Sequence, residues 1–225
     1  YSVYASQPGR WQPTPPAYMD GVEPHWGEIR TLVMDSAGQF KPKAPHPFST
    51  DKNSAFYKEA EEVYAVSTRA TPEQRQLALY WADDPLKTPT PAGHWAFIAG
   101  DLLKQSKATL ADAAKLYAQL NIAMADAFIA GWKTKYTVNL LRPVTYVQLV
   151  IDSNWVPTLM HTPPFPEYPS GHPVQSSAAA GVLEQVFGAN QPFTDNTHND
   201  RGWGPRKFKS FQAAADEAAL SRLYA

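Results

Sequence analysis

Three short stretches bring together residue types that grip an anion and move a proton. The first, Lys135-Tyr-Thr-Val-Asn-Leu-Leu-Arg142-Pro143, holds two cations seven positions apart. Lysine offers a point charge, and arginine a planar fork that matches two oxygens of one anion. Pro143 suits the first position of a helix, which leaves Arg142 at its N-terminal edge. Alone, such a pair is also what an ordinary solvated surface displays.

The second stretch is Tyr168-Pro169-Ser170-Gly171-His172-Pro173, followed by the apolar run 178–187. Ser170 reads as an N-cap, so the backbone N–H groups near Gly171 point outward at the positive end of a helix dipole. Gly171 lets an anion approach without a Cβ in the way. His172, in the first turn, can exchange a proton near neutral pH. The bland alternative is a helix cap with an incidental histidine. The third stretch, Ser221-Arg222, says little alone. Together the three describe a cage for a phosphate-shaped anion with a proton donor beside it.

Helices must position these groups. Residues 54–66 place Phe56, Ala60 and Val63 on one face. Thr71-Pro72-Glu73-Gln74 is a capping sequence for a helix reaching about Asp83. Further helices are predicted over roughly 92–105, 110–133 after Thr109, and after Pro143, Ser170 and Ser210. The 110–133 segment is apolar on most sides and belongs at the centre of a bundle. No segment alternates convincingly as a strand, and 190–207 reads as a loose hydrophilic loop. In that loop Asp195, His198 and Asp200 form a turn that is solvated or, as the alternative, binds a hard cation. His25, His46, His94 and His161 read as structural.

Among the chain's 21 prolines, many crowd residues 1–50 with Trp11, Tyr18, Trp26 and Phe40. That stretch predicts an extended, irregular arm wrapping a helical core over 51–225, within one all-α domain. Hydrophobic residues at 44% and charged residues at 18% fit a globular protein. A formal net charge of −1 argues against nucleic acid as a partner, and no apolar run is long enough for a membrane span. The chain has no cysteine, so disulfides and thiolate metal sites are excluded while the compartment stays open.

The order Lys135-x6-Arg142-Pro143, Pro169-Ser170-Gly171-His172, Ser221-Arg222 resembles the signature of the vanadium-dependent haloperoxidase and type 2 phosphatidic acid phosphatase superfamily. Trp11-Gln-Pro-Thr-Pro-Pro, Pro24-His-Trp, Trp132 and Phe165-Pro-Glu-Tyr-Pro look like its bacterial haloperoxidase-like branch, so the resemblance covers essentially the whole chain. It implies a helical bundle of the haloperoxidase/acid phosphatase type. Vanadate would be the cofactor, with peroxide and halide as small-molecule substrates. The alternatives are an acid phosphatase with a phosphomonoester in the same cage and no cofactor, or an inactive oxyanion-binding fragment. A homo-oligomer is left open.

Carried over by position, Lys135, Arg142 and Arg222 would neutralise the oxyanion. Ser170 and Gly171 would hydrogen-bond it, and His172 would be the acid–base group. Trp132 and Phe165 would line the halide side or simply pack, and Asp84 would orient Arg222 or merely end a helix. The motif's final histidine, the vanadium ligand that the resemblance implies, would fall at position 228, beyond Ala225. No metal ligand is therefore expected within the chain, which reads as truncated.

Overall fold

Short polar side chains start most of the helices by accepting a backbone N–H from the first turn. In chain order the helices are α1 (Ala55–Thr68), α2 (Pro72–Tyr80), α3 (Thr90–Ser106), α4 (Leu110–Val138), α5 (Pro143–Val150), α6 (Gly171–Phe187) and α7 (Phe211–Ser221). Ser54, Thr71, Thr109 and Ser210 cap α1, α2, α4 and α7. Thr71 with Gln74 and Thr109 with Asp112 form reciprocal capping boxes. α6 differs: Ser170 holds the N-cap position, but its hydroxyl makes no capping bond. This computed structural model describes residues 7–157 and 159–225; residues 1–6, within the proline-rich stretch, and Thr158 lie outside that description.

α4 packs on α6 and α3, and α7 closes over α6. Trp81, Trp95, Leu116, Leu120, Met124, Leu183, Phe211 and a run of buried alanines fill the space between them. The alanines of α6 and α7 let these helices approach closely while the large side chains of α3 and α4 fill the gaps. A second cluster joins Phe56, Tyr57 and Ala60 of α1 to Leu141 and Tyr146 near α5.

Residues 7–50 are irregular apart from a one-residue bridge from Arg10 to Leu140 and a 3-10 turn, Trp26–Glu28, which lies against α4. Trp11 is fully buried, and Trp26 meets Phe128 edge-on at 5.2 Å. Gly27 sits so close to α4 that a Cβ there would lie 2.5 Å from the Lys133 backbone. Buried Asp126 of α4 accepts the backbone N–H groups of Leu32, Val33 and Met34 at 2.7, 2.8 and 2.9 Å. One carboxylate thus supplies partners for three donors that have no ladder of their own.

Several sequence expectations need correction. Two three-residue strands, β1 (Phe193–Asp195) and β2 (Arg206–Phe208), pair antiparallel inside the supposed loop, too short to show alternation. Stacking of Phe193 on Phe208 at 5.4 Å anchors them. His198 in the same segment is buried at 1% exposure, not solvated. α2 stops at Tyr80, before Asp83 turns left-handed (φ 47°) ahead of Pro85. α4 runs on to Val138, so Lys135 stands on its last turn rather than after it. Nor is α4 buried all round, since Leu110 is 87% exposed.

Replacing Asp126 with alanine should destabilise the fold by about 2–4 kcal/mol, because three partly buried N–H groups lose their acceptor. Those same N–H groups hold the Asp126 carboxyl below its usual range against the opposing effect of burial. A depressed folded-state pKa makes this stabilisation complete above the unfolded value, about pH 4, and lost as pH falls through the folded one. Urea denaturation of wild type and Asp126→Ala at neutral and acidic pH checks both points. A wild-type midpoint indifferent to this pH change, or an unaffected variant, contradicts the assignment.

Candidate functional site

Two groups of side chains flank the N-terminus of α6. On one side, Lys135 is 1% exposed, and its ammonium lies over the rings of Phe165 at 4.9 Å and Trp132 at 5.6 Å. Its Nζ donates to the carbonyls of Pro166 at 2.7 Å and Glu167 at 3.0 Å. Arg142 N-caps α5, so its side chain leaves the helix start and reaches the 163–167 segment. There Nε donates to Phe165 O at 2.7 Å, Nη2 to Pro163 O at 3.0 Å and Nη1 to Glu167 Oε2 at 2.6 Å. The guanidinium also stacks on Phe165 at 4.7 Å.

Donor counting tests whether these cations still fit an anion. An ammonium carries about three N–H groups and a guanidinium five. Lys135 commits two of its donors and Arg142 three of its own, leaving one and two without an acceptor among the described residues. The committed donors clamp the side chains and the free ones suit a tetrahedral oxyanion. Glu167 is the acidic member of this group. Burial pushes its carboxyl up, but Arg142 and Lys135 outweigh that and hold it below its usual range. Burial, then the neighbouring Arg142, pulls Lys135 down to about 7.

On the other side stand His172 and Arg222. His172 is half-buried as a residue, yet its Nε2 is sealed from solvent and has no hydrogen-bond partner among the described residues. Burial first and the Arg222 charge second lower its pKa to about 4, opposed by Asp83 and by the Ala82 and Trp81 backbone. Arg222 lies just after α7, donating to Ser221 Oγ at 2.9 Å and Ala78 O at 2.8 Å. Burial lowers it to about 10, with Asp83 and Asp84 acting in the opposite direction. Arg222 is thus a desolvated cation set between acids and the imidazole of His172.

Ser170, Gly171 and His172 join the two sides, being consecutive at the start of α6. A Cβ on Gly171 would lie 3.3 Å from the Trp132 ring, so glycine permits the close fit between α6 and α4. Trp132 is itself stacked on Phe128 at 3.7 Å and tilted against Phe165 at 5.1 Å. Trp132 and Phe165 are thus a wall beside Lys135 and Gly171. The Ser170 hydroxyl, free of any capping bond, can face a ligand.

Asp84 makes no hydrogen bond to Arg222. Its carboxylate, 43% exposed, pairs with Lys87 at 3.6 Å and reaches Arg222 only through its charge. The deeply buried acid is its neighbour Asp83, which meets His94 and His198. Sequence reasoning passed over Asp83, read His94 as structural, and placed Asp195 in a turn that is solvated or binds a hard cation; it did not join the three. The only signal was that all three stand in aromatic or hydrophobic surroundings, beside Trp81, Trp95 and Phe193. Glu167 was likewise missed, although it falls inside a quoted motif.

Residues 115–225 match the family model described as the VCPO second helical-bundle domain. The vanadium chloroperoxidase of Curvularia inaequalis is 24% identical over 239 residues, covering 82% of this chain and 39% of its own. The crystal structure of a bacterial vanadium-dependent iodoperoxidase superposes with a TM-score of 0.94 at 48% identity, over 100% of this chain and 55% of that one. An apo bacterial vanadium-dependent chloroperoxidase shares the fold at a TM-score of 0.78 and 16% identity, over 98% of this chain and 57% of that one. The chain thus spans about half the length or less of these relatives. Residues 115–225 thus resemble the VCPO second helical-bundle domain, and the chain as a whole is similar in sequence and helical fold to vanadium-dependent haloperoxidases, bacterial ones among them.

Proposed function

We propose that the protein is a vanadate-dependent haloperoxidase that oxidises halide with hydrogen peroxide. The observation that carries this reading is the partnerless Nε2 of His172, beside Arg222 and one residue from the Gly171–Trp132 contact. Vanadate, when bound, supplies the Lewis-acidic centre at which peroxide is activated toward halide. Lys135, Arg142 and Arg222 neutralise the oxyanion with charge aimed in advance, so little reorganisation is needed when it binds. Ser170 and the Gly171 N–H donate to its oxygens at the positive end of the α6 dipole. Trp132 and Phe165 form the apolar wall that excludes water on the halide side.

His172 is the acid–base group of this scheme. With its pKa held near 4, it rests neutral at physiological pH and can accept a proton at Nε2. An arriving anion favours the imidazolium, so His172 becomes a better base once the site is filled. The experiment is a halide-oxidation assay with peroxide, with and without added vanadate, beside hydrolysis of a chromogenic phosphate ester. Vanadate-dependent halide oxidation is the expected result. Ester hydrolysis alone would favour the phosphatase reading.

Arg142→Ala should weaken vanadate binding by roughly 1.5–3 kcal/mol for each charge-assisted bond removed. His172→Ala should keep vanadate affinity but lose about 10²–10⁴-fold in turnover. Titration calorimetry with steady-state halide oxidation separates the two roles. Unchanged affinity in a folded Arg142→Ala removes that residue from the site, and near-native turnover in His172→Ala reduces the histidine to a helix-turn residue.

Lys135 makes a further prediction about pH. A bound anion raises its pKa from about 7, so binding draws in a proton at and above neutrality. Affinity should therefore be full below about pH 6 and fall as pH rises through 7 toward the bound-state value. Sulfate, which stays a dianion throughout, is the probe. Its binding heat near pH 7.5, about half a unit above the Lys135 value, should vary with the ionisation heat of the buffer. Heats independent of buffer contradict the involvement of Lys135.

A further inference from the structure

Behind His172 and Arg222 lies a buried set of ionisable groups that the proposed cage does not use. His94, on α3, has 0% exposure. Its Nδ1 is 2.9 Å from Asp83 Oδ2, and its Nε2 is 2.7 Å from Asp195 Oδ2. An imidazole can donate to a carboxylate on each nitrogen only when both nitrogens carry protons. Asp195 also accepts from Tyr80 Oη at 2.6 Å and the Thr197 N–H at 2.9 Å, so its orientation is fixed. Trp81 stacks on His94 at 4.6 Å and 15°, a ring face that favours a cation.

Every element around His94 contributes. Tyr80, Trp81 and Asp83 come from α2 and the turn after it, Asp195 from β1, and His198 from the following turn. His198 Nε2 stands 3.3 Å from Asp83 Oδ1, and its ring is 4.8 Å from that of His94. Arg206 of β2 lies over Tyr80 at 5.2 Å but is tied to Glu217 of α7 at 2.5 Å. Burial by itself would lower the His94 pKa, yet the bonds to Asp195 and Asp83 outweigh it and hold it at about 9.

Either a proton on His94 or a divalent cation could complete this cluster, since ligand atoms of Asp83, His94 and His198 lie within 4.8 Å of one another. Charge decides between them. Among the buried groups, Asp83 and Asp195 bring two negative charges and imidazolium His94 with Arg222 brings two positive ones; Asp84, partly exposed and paired with Lys87, stands outside this balance. A divalent ion in place of the proton would leave an excess positive charge in a buried region, which is costly. It would also have to break the 2.9 Å bond between His94 and Asp83. Asp83 links the cluster to the site, because its charge acts on both Arg222 and His172.

We infer that His94 is a positioning residue of the oxyanion site: clamped as an imidazolium between Asp83 and Asp195, it fixes Asp83 behind Arg222 and His172. The inference rests on the reading of those two residues as part of an oxyanion cage. Without His94, Asp83 loses its shortest bond and must either take up a proton or swing toward His172 and Arg222. Each response changes the charge that an incoming anion meets.

The test combines nitrogen NMR of ¹⁵N-histidine-labelled protein with sulfate calorimetry on wild type, His94→Gln and Asp195→Asn. In wild type one imidazole should stay protonated on both nitrogens up to about pH 8, and that signal should vanish in His94→Gln. Sulfate affinity should fall about tenfold in His94→Gln, as is typical when a supporting partner is removed. Asp195→Asn, which keeps an acceptor for the Thr197 N–H and turns an amide N–H toward Tyr80 and His94, should bring His94 toward neutrality and weaken sulfate in the same direction. This keeps the test alive should His94→Gln fail to fold. A neutral His94 at pH 7, or one chelator-removable divalent ion per chain, would overturn the inference. So would variants that melt lower yet bind sulfate like wild type. Wild-type protein indifferent to sulfate, with His94 still doubly protonated, would instead sink the cage reading on which the inference stands.

Discussion

An ammonium group taken out of water costs several kcal/mol unless its donors are met. Lys135 is that group here, and its burial under Trp132 and Phe165 dictates the conformation of everything nearby. Residues 163–167 must turn their carbonyls inward to meet it. Arg142 reinforces the same turn with three further bonds, and Glu167 supplies a negative charge. Because the segment runs directly into Ser170 and Gly171, holding the loop also holds the start of α6. The cations are therefore more than candidate ligands, because they determine where the helix N-terminus stands.

The opposite flank depends on a different balance. Arg222 and His172 are cations or potential cations beside a buried acid, Asp83, whose own position is set by His94 and His198. Desolvation lowers the proton affinity of both His172 and Lys135, leaving each within reach of protonation once negative charge arrives. A site of this kind gains protons as it gains an anion. Its affinity and its acid–base readiness are then linked through the same few charges.

Sequence carried the three motifs and the helical class well because each rests on local chemistry. Thr71 and Thr109 cap helices wherever they lie in space, and Ser170-Gly171-His172 is a single turn. What sequence concealed was tertiary. The choice between Asp83 and Asp84 turns on one left-handed residue, whose φ of 47° no pattern in 81–85 discloses. His198 sits in a hydrophilic run, and its burial depends on Tyr80 and His94 arriving from elsewhere in the chain. Asp126 is one polar residue within an apolar helix, and its three partners lie more than ninety residues away.

The central claim is that one tetrahedral oxyanion binds at the N-terminus of α6, between the Lys135–Arg142 pair and the His172–Arg222 pair. Anomalous diffraction from crystals soaked in tungstate, a heavy and stable oxyanion of the same shape, tests it directly. A single strong peak is expected within hydrogen-bonding distance of the Gly171 N–H and of free donors from Lys135 and Arg142. A peak elsewhere, or none at this helix terminus while Glu167 keeps its bond to Arg142, would contradict the account.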